Sequence, residues 1–182
     1  MQTLPFPETN PNARQTFTMI AALDVHYEAD NASAGMVVFQ NWHTAVPFEQ
    51  HRHEAQDCAP YQPGQFYKRE LPVLLQTIRL ADQPIETVVV DGYVDLGEGR
   101  PGLGRHLFDA LGGKVRVIGV AKSEFEDNDV TLELFRGQSA RPLFITAAGY
   151  QVALAKLLIE SMHGQHRIPT LLKLVDSIAR GR

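Results

Sequence analysis

Three carboxylates occupy positions where an acid is costly. Asp24 lies in the middle of the apolar run Thr16–Tyr27, and Asp91 directly follows Val88-Val89-Val90. Glu70 stands at the start of a helical pattern. A carboxylate inside or at the end of a buried strand must be paired, hydrogen-bonded or bound to a metal. If the two apolar runs are neighbouring strands, Asp24 and Asp91 meet, and Glu70 joins them from a helix laid over the sheet. Three hard oxygen ligands, with water completing the shell, suit Mg²⁺ or Mn²⁺. Two plainer readings stay open at this level. Glu70 is also placed as a helix-terminus acid favoured by the dipole, and Asp24 also suits the solvent face of an edge strand.

A second chemistry competes. Gly97-Glu98-Gly99-Arg100-Pro101-Gly102 matches G-x-G-x-x-G, follows a strand and opens a helical pattern. Glu124 lies about twenty residues further on, where a dinucleotide fold places its ribose acid. A nucleotide-cofactor oxidoreductase is therefore a rival. Against it, the apolar strand ends at Asp91, well before the first glycine, and Arg100 and Pro101 crowd the positions where backbone should approach a pyrophosphate. The other reactive side chains carry less. His51-Arg52-His53-Glu54 fits neither H-E-x-x-H nor a zinc-finger spacing and reads as a solvated loop. Cys58 has no obvious histidine base and, as the one cysteine, no internal disulfide partner.

The elements that must position these groups are set by periodicity and breakers. Thr16–Tyr27 and Ala34–Trp42 read as strands joined in a hairpin, and residues 43–50 supply a third strand limited by Pro47. Residues 51–65 read as a loop. Leu71, Leu74, Leu75 and Ile78 recur at helical spacing, with Pro72 expected in the first turn. Thr87–Val90 and Val115–Ala121 are continuous apolar runs, as in strands covered on both faces. A short helix lies between them around Arg105–Leu111. Two more strands (residues 130–135 and 142–146) and two helices (151–162 and 170–180) complete the order β-β-β-α-β-α-β-β-β-α-α. Antiparallel strands followed by strands alternating with helices give an α/β mixed sheet with helices on both faces.

Composition narrows the class. The chain has 182 residues, 44% hydrophobic and 21% charged, which suits one globular domain and excludes a disordered chain. Residues 1–15 read as an irregular lead-in and 16–182 as a single domain. No apolar run reaches the roughly 18 residues of a membrane helix, and the polar, Pro-rich start lacks a signal-peptide core. A cytoplasmic protein is expected. The net charge of −4 is uneven: residues 1–91 hold five Lys/Arg against eleven Asp/Glu, and residues 92–182 hold twelve against ten. An acidic half beside a basic half suits a metal site next to a phosphate-binding face, and equally suits surface scatter.

Taken in order, the segments resemble the endonuclease V family of deoxyinosine-specific nucleases. Ala22-Leu23-Asp24-Val25-His26-Tyr27 is similar to the family's opening strand with its metal-binding Asp. Pro60-Tyr61-Gln62-Pro63-Gly64 resembles its P-Y-x-P-G loop, whose Tyr wedges into DNA at the lesion. Phe66-Tyr67-Lys68-Arg69-Glu70-Leu71-Pro72 resembles F-R-E-x-P, and Val90-Asp91-Gly92 matches V-D-G. Gly102-Leu103 and His106-Leu107 fall in step with the next helix of the family. Ile118-Gly119-Val120-Ala121-Lys122-Ser123 carries the family's active-site Lys, and His166-Arg167-Ile168-Pro169 resembles its R-[IL]-P turn.

The resemblance implies an RNase H-like fold with a mixed sheet of five strands or slightly more. It implies Mg²⁺-dependent (or Mn²⁺-dependent) hydrolysis of a phosphodiester near a deaminated base, leaving a 3′-hydroxyl and a 5′-phosphate. Asp24, Glu70 and Asp91 would hold the metal, with Lys122 beside them. Tyr61 would fill the gap left by an extruded base, and Arg100, Arg105 and Arg167 would contact the backbone. The implied partner is nucleic acid, DNA ahead of RNA, bound by a monomer. The chain departs from the pattern at Gly97-Glu98, where the family has His-Pro, and at Tyr150, where it has a His near the metal. These replacements open a second reading: a homologue that binds nucleic acid and cleaves weakly or not at all.

Overall fold

Alternation along the first strand decides which side of the sheet each residue faces. The computed structural model describes residues 18–28, 31–56, 66–125 and 128–182. The first strand, β1 (Met19–Glu28), sends Met19, Ala21 and Leu23 to one side and Ile20 and Ala22 to the other. It pairs antiparallel with β2 (Asn31–Phe39), which pairs antiparallel with β3 (Glu49–Ala55). The helix α1 (Phe66–Ile78) then leads to β4 (Ile85–Asp91), and α2 (Leu103–Ala110) leads to β5 (Arg116–Ala121). Both β4 and β5 run parallel to β1. The strands β6 (Leu132–Leu134) and β7 (Leu143–Ala148) add antiparallel ribs, and α3 (Val152–Ser161) and α4 (Thr170–Ala179) close the described chain.

The sheet order is β3-β2-β1-β4-β5-β7-β6. This is the mixed α/β sheet that the element order implied, with β6 and β7 extending the five-strand core to seven among the described residues. Two apolar layers cover it. One face packs Leu23, Val88 and Val90 against Leu74 of α1 and Leu107 of α2. The other packs Ala22, Val89 and Ile118 against Ile159 of α3 and Leu171 and Val175 of α4. A central strand buried on both faces needs no polar side, which explains the unbroken Val88–Val90 run.

Two local expectations are corrected. The third strand is Glu49–Ala55, not residues 43–50. Pro47 has no N–H to give a ladder, so pairing starts after it, and the alternating Glu49–Ala55 segment meets β2. Pro72 lies well inside α1, beyond its first turn. Its missing N–H removes one bond to the Lys68 carbonyl. The helix continues because Val73 and Leu74 behind it are 3% and 1% exposed, and fully burying such side chains is worth about 1.5–3 kcal/mol each.

Gly35 of β2 sets how closely α4 approaches the sheet. A Cβ there would stand 2.6 Å from the Val175 carbonyl oxygen and 2.8 Å from the Ala179 nitrogen. Glycine lets α4 lie flush on the strands, and Gly35 is the residue paired with Asp24.

Candidate active site

Register brings the two strand acids together. β1 and β4 are adjacent and parallel, with Leu23 level with Val90, so the next residues, Asp24 and Asp91, stand side by side at the carboxyl ends of their strands. Alternation sends both to the face covered by α4. They line a cavity of about 20 Å³ with Lys122, Ile168, Leu172 and Val175, room for roughly one water-sized particle. Asp24 is not on an edge, since β1 has β2 and β4 on its two sides.

Glu70 reaches the same place from α1. It is the fifth residue of the helix and 6% exposed, so it is not a solvated helix-terminus acid. It shares a small cleft with Asp24, Val25 and Asp91. The electrostatics record the crowding. Burial, then the charges of Asp24 and Asp91, push Glu70 up to about 8. Burial, then the charge of Asp91, push Asp24 up to about 7, against the pull of Lys122. Acids that hold protons this strongly are short of positive charge.

Lys122 follows the end of β5 and supplies part of that charge. Its Nζ lies 2.5 Å from Asp91 Oδ2. Burial pulls the Lys122 amine down, but the hydrogen bond to Asp91 and the charges of Asp91, Asp24 and Asp176 raise it overall.

Asp176 is the member that sequence reading missed. It lies on α4, where it accepts a bond from Arg180 one turn later at 3.0 Å, and it looks like one half of a surface helix pair. The side chain also shares a hydrogen bond with Asp24. Burial raises Asp176, but Arg180 and the bond from Asp24 bring it below the usual carboxylate range. The shared bond thus raises Asp24 and lowers Asp176. The signal in the sequence is slight: an acid next to Val175 in a helix that also carries Lys173 and Ser177.

Asp24, Asp91 and Asp176 act on the Lys122 ammonium, and Glu70 adjoins Asp24 and Asp91 from the other side. Carboxylate oxygens are the donor chemistry that suits a hard divalent cation. As the side chains stand, no three or more His, Cys, Asp or Glu among the described residues are grouped so that together they could hold a metal ion. Lys122 is on Asp91, and Asp24 accepts from the Val25 N–H at 2.9 Å while bonded to Asp176.

The three arginines expected on a nucleic-acid backbone are engaged within the chain. Arg105 binds Asp95 through two bonds, 2.9 and 2.5 Å. Arg100 donates to the Gly97 and Leu96 carbonyls and lies over the Phe125 ring. Arg167 donates to the Lys122 and Pro142 carbonyls at 2.5 and 2.6 Å. Tyr61 lies outside the described residues.

The glycine-rich segment is a backbone turn. Leu96 N–H bonds the Arg100 carbonyl, Arg100 N–H bonds the Gly97 carbonyl, and Asp95 bridges Pro101. Gly97 and Gly99 take φ of 80° and 71°, so glycine serves the turn itself, with Glu98 at its tip. Tyr150 is also placed away from the acids. Its hydroxyl meets Thr87 Oγ1 at 2.9 Å, at the opposite end of β4 from Asp91, and Arg116 covers its ring. Because β7 runs antiparallel to β5, its carboxyl end points away from the acid cluster. The residue that approaches the acids from the C-terminal part is Asp176 instead.

Beside Glu70 and Asp91 opens a second cavity of about 240 Å³, walled by Tyr67, Tyr93, Leu96, Pro101 and Leu103. Tyr67 is held by stacking on His106, ring centroids 3.6 Å apart.

The sequence and the fold both have known counterparts. An endonuclease V of Xanthomonas oryzae pv. oryzae is 28% identical over 186 residues, covering 90% of this chain and 77% of that protein. The structure of the endonuclease V from Streptomyces avermitilis superposes with a TM-score of 0.72 at 22% identity, over 91% of this chain and 81% of that one. That of a single-substitution variant of Ciona intestinalis endonuclease V, in complex with a 23mer DNA containing an inosine followed by a ribo-adenosine, gives 0.75 at 18% identity, over 90% and 84%. The endonuclease V family model matches residues 7–156. With this match over most of its length, the chain belongs to the endonuclease V family of nucleases.

Proposed function

We propose that the chain is a metal-dependent endonuclease that hydrolyses a phosphodiester near a deaminated base, deoxyinosine in DNA first and inosine in RNA second. The observation that carries this is the convergence of Asp24, Glu70, Asp91 and Asp176, two of them pushed up to about 7 and 8. A divalent cation would replace the protons they hold. Asp24, Glu70 and Asp91 are the residues that would hold it, and Mg²⁺ or Mn²⁺ suits their oxygen donors. When bound, such an ion polarises the phosphate, lowers the pKa of attacking water and stabilises the leaving oxygen.

The chain's own groups do the rest. Lys122 carries a positive charge next to Asp91 and can neutralise phosphate charge as the Asp91 contact opens. The Tyr67–Tyr93 cavity has the volume and apolar walls to take a base out of the stack, a move that costs a few kcal/mol. Tyr61 would fill the gap that the base leaves. We read the partner as nucleic acid bound by a monomer, in the cytoplasm. Among the described residues no helix is long and apolar enough to cross a membrane.

The test is nicking of an end-labelled duplex with one deoxyinosine, against the same duplex with deoxyadenosine, in Mg²⁺ and in EDTA. One cut near the deoxyinosine, in Mg²⁺ alone, supports the reading. Binding without a cut assigns the chain to the non-cleaving homologues. Neither binding nor cutting removes the reading.

A further inference from the structure

Arg136 is a buried cation that bonds no carboxylate among the described residues, although the charge of Glu160 acts on it. It is 7% exposed, and its guanidinium donates only to backbone carbonyls of one turn. Nη1 meets His166 and Arg167 at 2.8 and 3.4 Å, and Nη2 meets Met162 and Gly164 at 2.5 and 3.2 Å. Met162 caps the C-terminus of α3, where carbonyls lack helical partners and the dipole favours a cation. Gly137 presses on the same turn so closely that a Cβ would stand 2.3 Å from the Gln165 carbonyl oxygen. One side chain thus holds the whole link between α3 and α4.

That link delivers two things to the acids. Arg167 leaves it to grip the Lys122 carbonyl at 2.5 Å, while Lys122 Nζ is 2.5 Å from Asp91. Thr170 N–H bonds back to the His163 carbonyl at 2.8 Å as α4 begins, and α4 carries Asp176 to Asp24. An arginine that seeks a phosphate would have to leave two short carbonyl bonds. Both bonds come from the one nitrogen Nη2, with the buried Nε unbonded among the described residues, and two short bonds to backbone suit placement better.

We propose that Arg136 and Arg167 are positioning residues: Arg136 fixes the α3–α4 turn, and through it Arg167 sets Lys122 on Asp91 while α4 sets Asp176 on Asp24. The proposal rests on the nuclease reading only for its kinetic arm. Residues that orient a metal site typically change affinity or rate by about 10- to 100-fold when removed.

The experiment compares the wild type with Arg167→Met, Arg167→Lys, Arg136→Met and a control, Met19→Ala, which is buried near the opposite end of the sheet. Mn²⁺ affinity is measured by EPR titration without nucleic acid, and folding by Tm. Cleavage of the deoxyinosine duplex gives kcat and KM, and duplex binding in Ca²⁺ is measured against salt. Arg136→Met is expected to weaken Mn²⁺ binding about 10- to 100-fold. Arg167→Met is expected to lower kcat over the same range with KM and the salt slope unchanged, and Arg167→Lys to restore part of it. Met19→Ala should lower Tm and leave Mn²⁺ affinity alone. A raised KM and a shallower salt slope in Arg167→Met, with kcat intact, would make Arg167 a phosphate contact and overturn its part. Arg136→Met with lower Tm and wild-type Mn²⁺ affinity would make Arg136 mere scaffold. If the wild type itself cuts nothing, the nuclease reading fails, while the Mn²⁺ titration still decides whether Arg136 positions the acids.

Discussion

Glu70→Gln removes a charge and keeps the shape of a side chain that is 6% exposed. In the folded chain Glu70 is pushed up to about 8, against 4.5 ordinarily. Proton binding decides the sign. Between those values the folded state holds a proton that the unfolded state has lost, so stability falls as pH rises through that window. At about 1.4 kcal/mol per pKa unit, the native state loses on the order of 3 kcal/mol between pH 4.5 and 7, and about 4 kcal/mol by pH 8. Glutamine has no proton to lose and escapes this loss. Metal-free Glu70→Gln should therefore match the wild type near pH 4.5 and exceed it by about 3 kcal/mol at pH 7, or roughly 6–12 °C in Tm for a chain of this size. Melting curves in EDTA from pH 4.5 to 8 measure the difference. Adding Mn²⁺ should then raise the Tm of the wild type more than that of the variant. A Tm difference that stays flat with pH, or a variant less stable throughout, would refute the account of Glu70 as an acid strained by burial and by its neighbours.

Asp91→Asn should cut Mg²⁺-dependent cleavage by more than about 100-fold, read from the nicking rate. Its Tm should scarcely move, because the Lys122–Asp91 pair is 43% and 34% exposed and solvent screens it; wild-type cleavage would deny Asp91 its role. Asp176→Asn should weaken Mn²⁺ binding about 10- to 100-fold by calorimetry, whereas unchanged affinity would leave Asp176 as no more than the helix partner of Arg180. Tyr61→Ala should weaken binding to a deoxyinosine duplex roughly 5- to 150-fold, the range of one lost stacking contact, with Tm unaltered. A clear fall in Tm without loss of lesion preference would instead mean that Tyr61 packs its loop.

Much of this protein is written locally in the chain. Hydrophobic period and breakers set the order of strands and helices, because both act within a few residues. The unbroken Val88–Val90 run marks a strand covered on both faces, and Asp24 and Asp91 stand out because an acid beside such a run is costly. Local rules misplace β3 and the start of α1. The alternating Glu49–Ala55 segment needs β2 as its partner, and Pro72 is carried inside a helix by burial that only the sheet provides. The parallel register that sets Asp24 beside Asp91 joins segments far apart in the chain, and so does the close approach of α4 at Gly35. The same holds for the engagement of Arg100, Arg105 and Arg167. In sequence none of them has a visible partner, whereas in the fold two of them grip carbonyls and one a carboxylate. Asp176 is hidden for the converse reason. Its i,i+4 neighbour Arg180 explains it locally, and only the packing of α4 against β1 and β2 makes it the fourth acid.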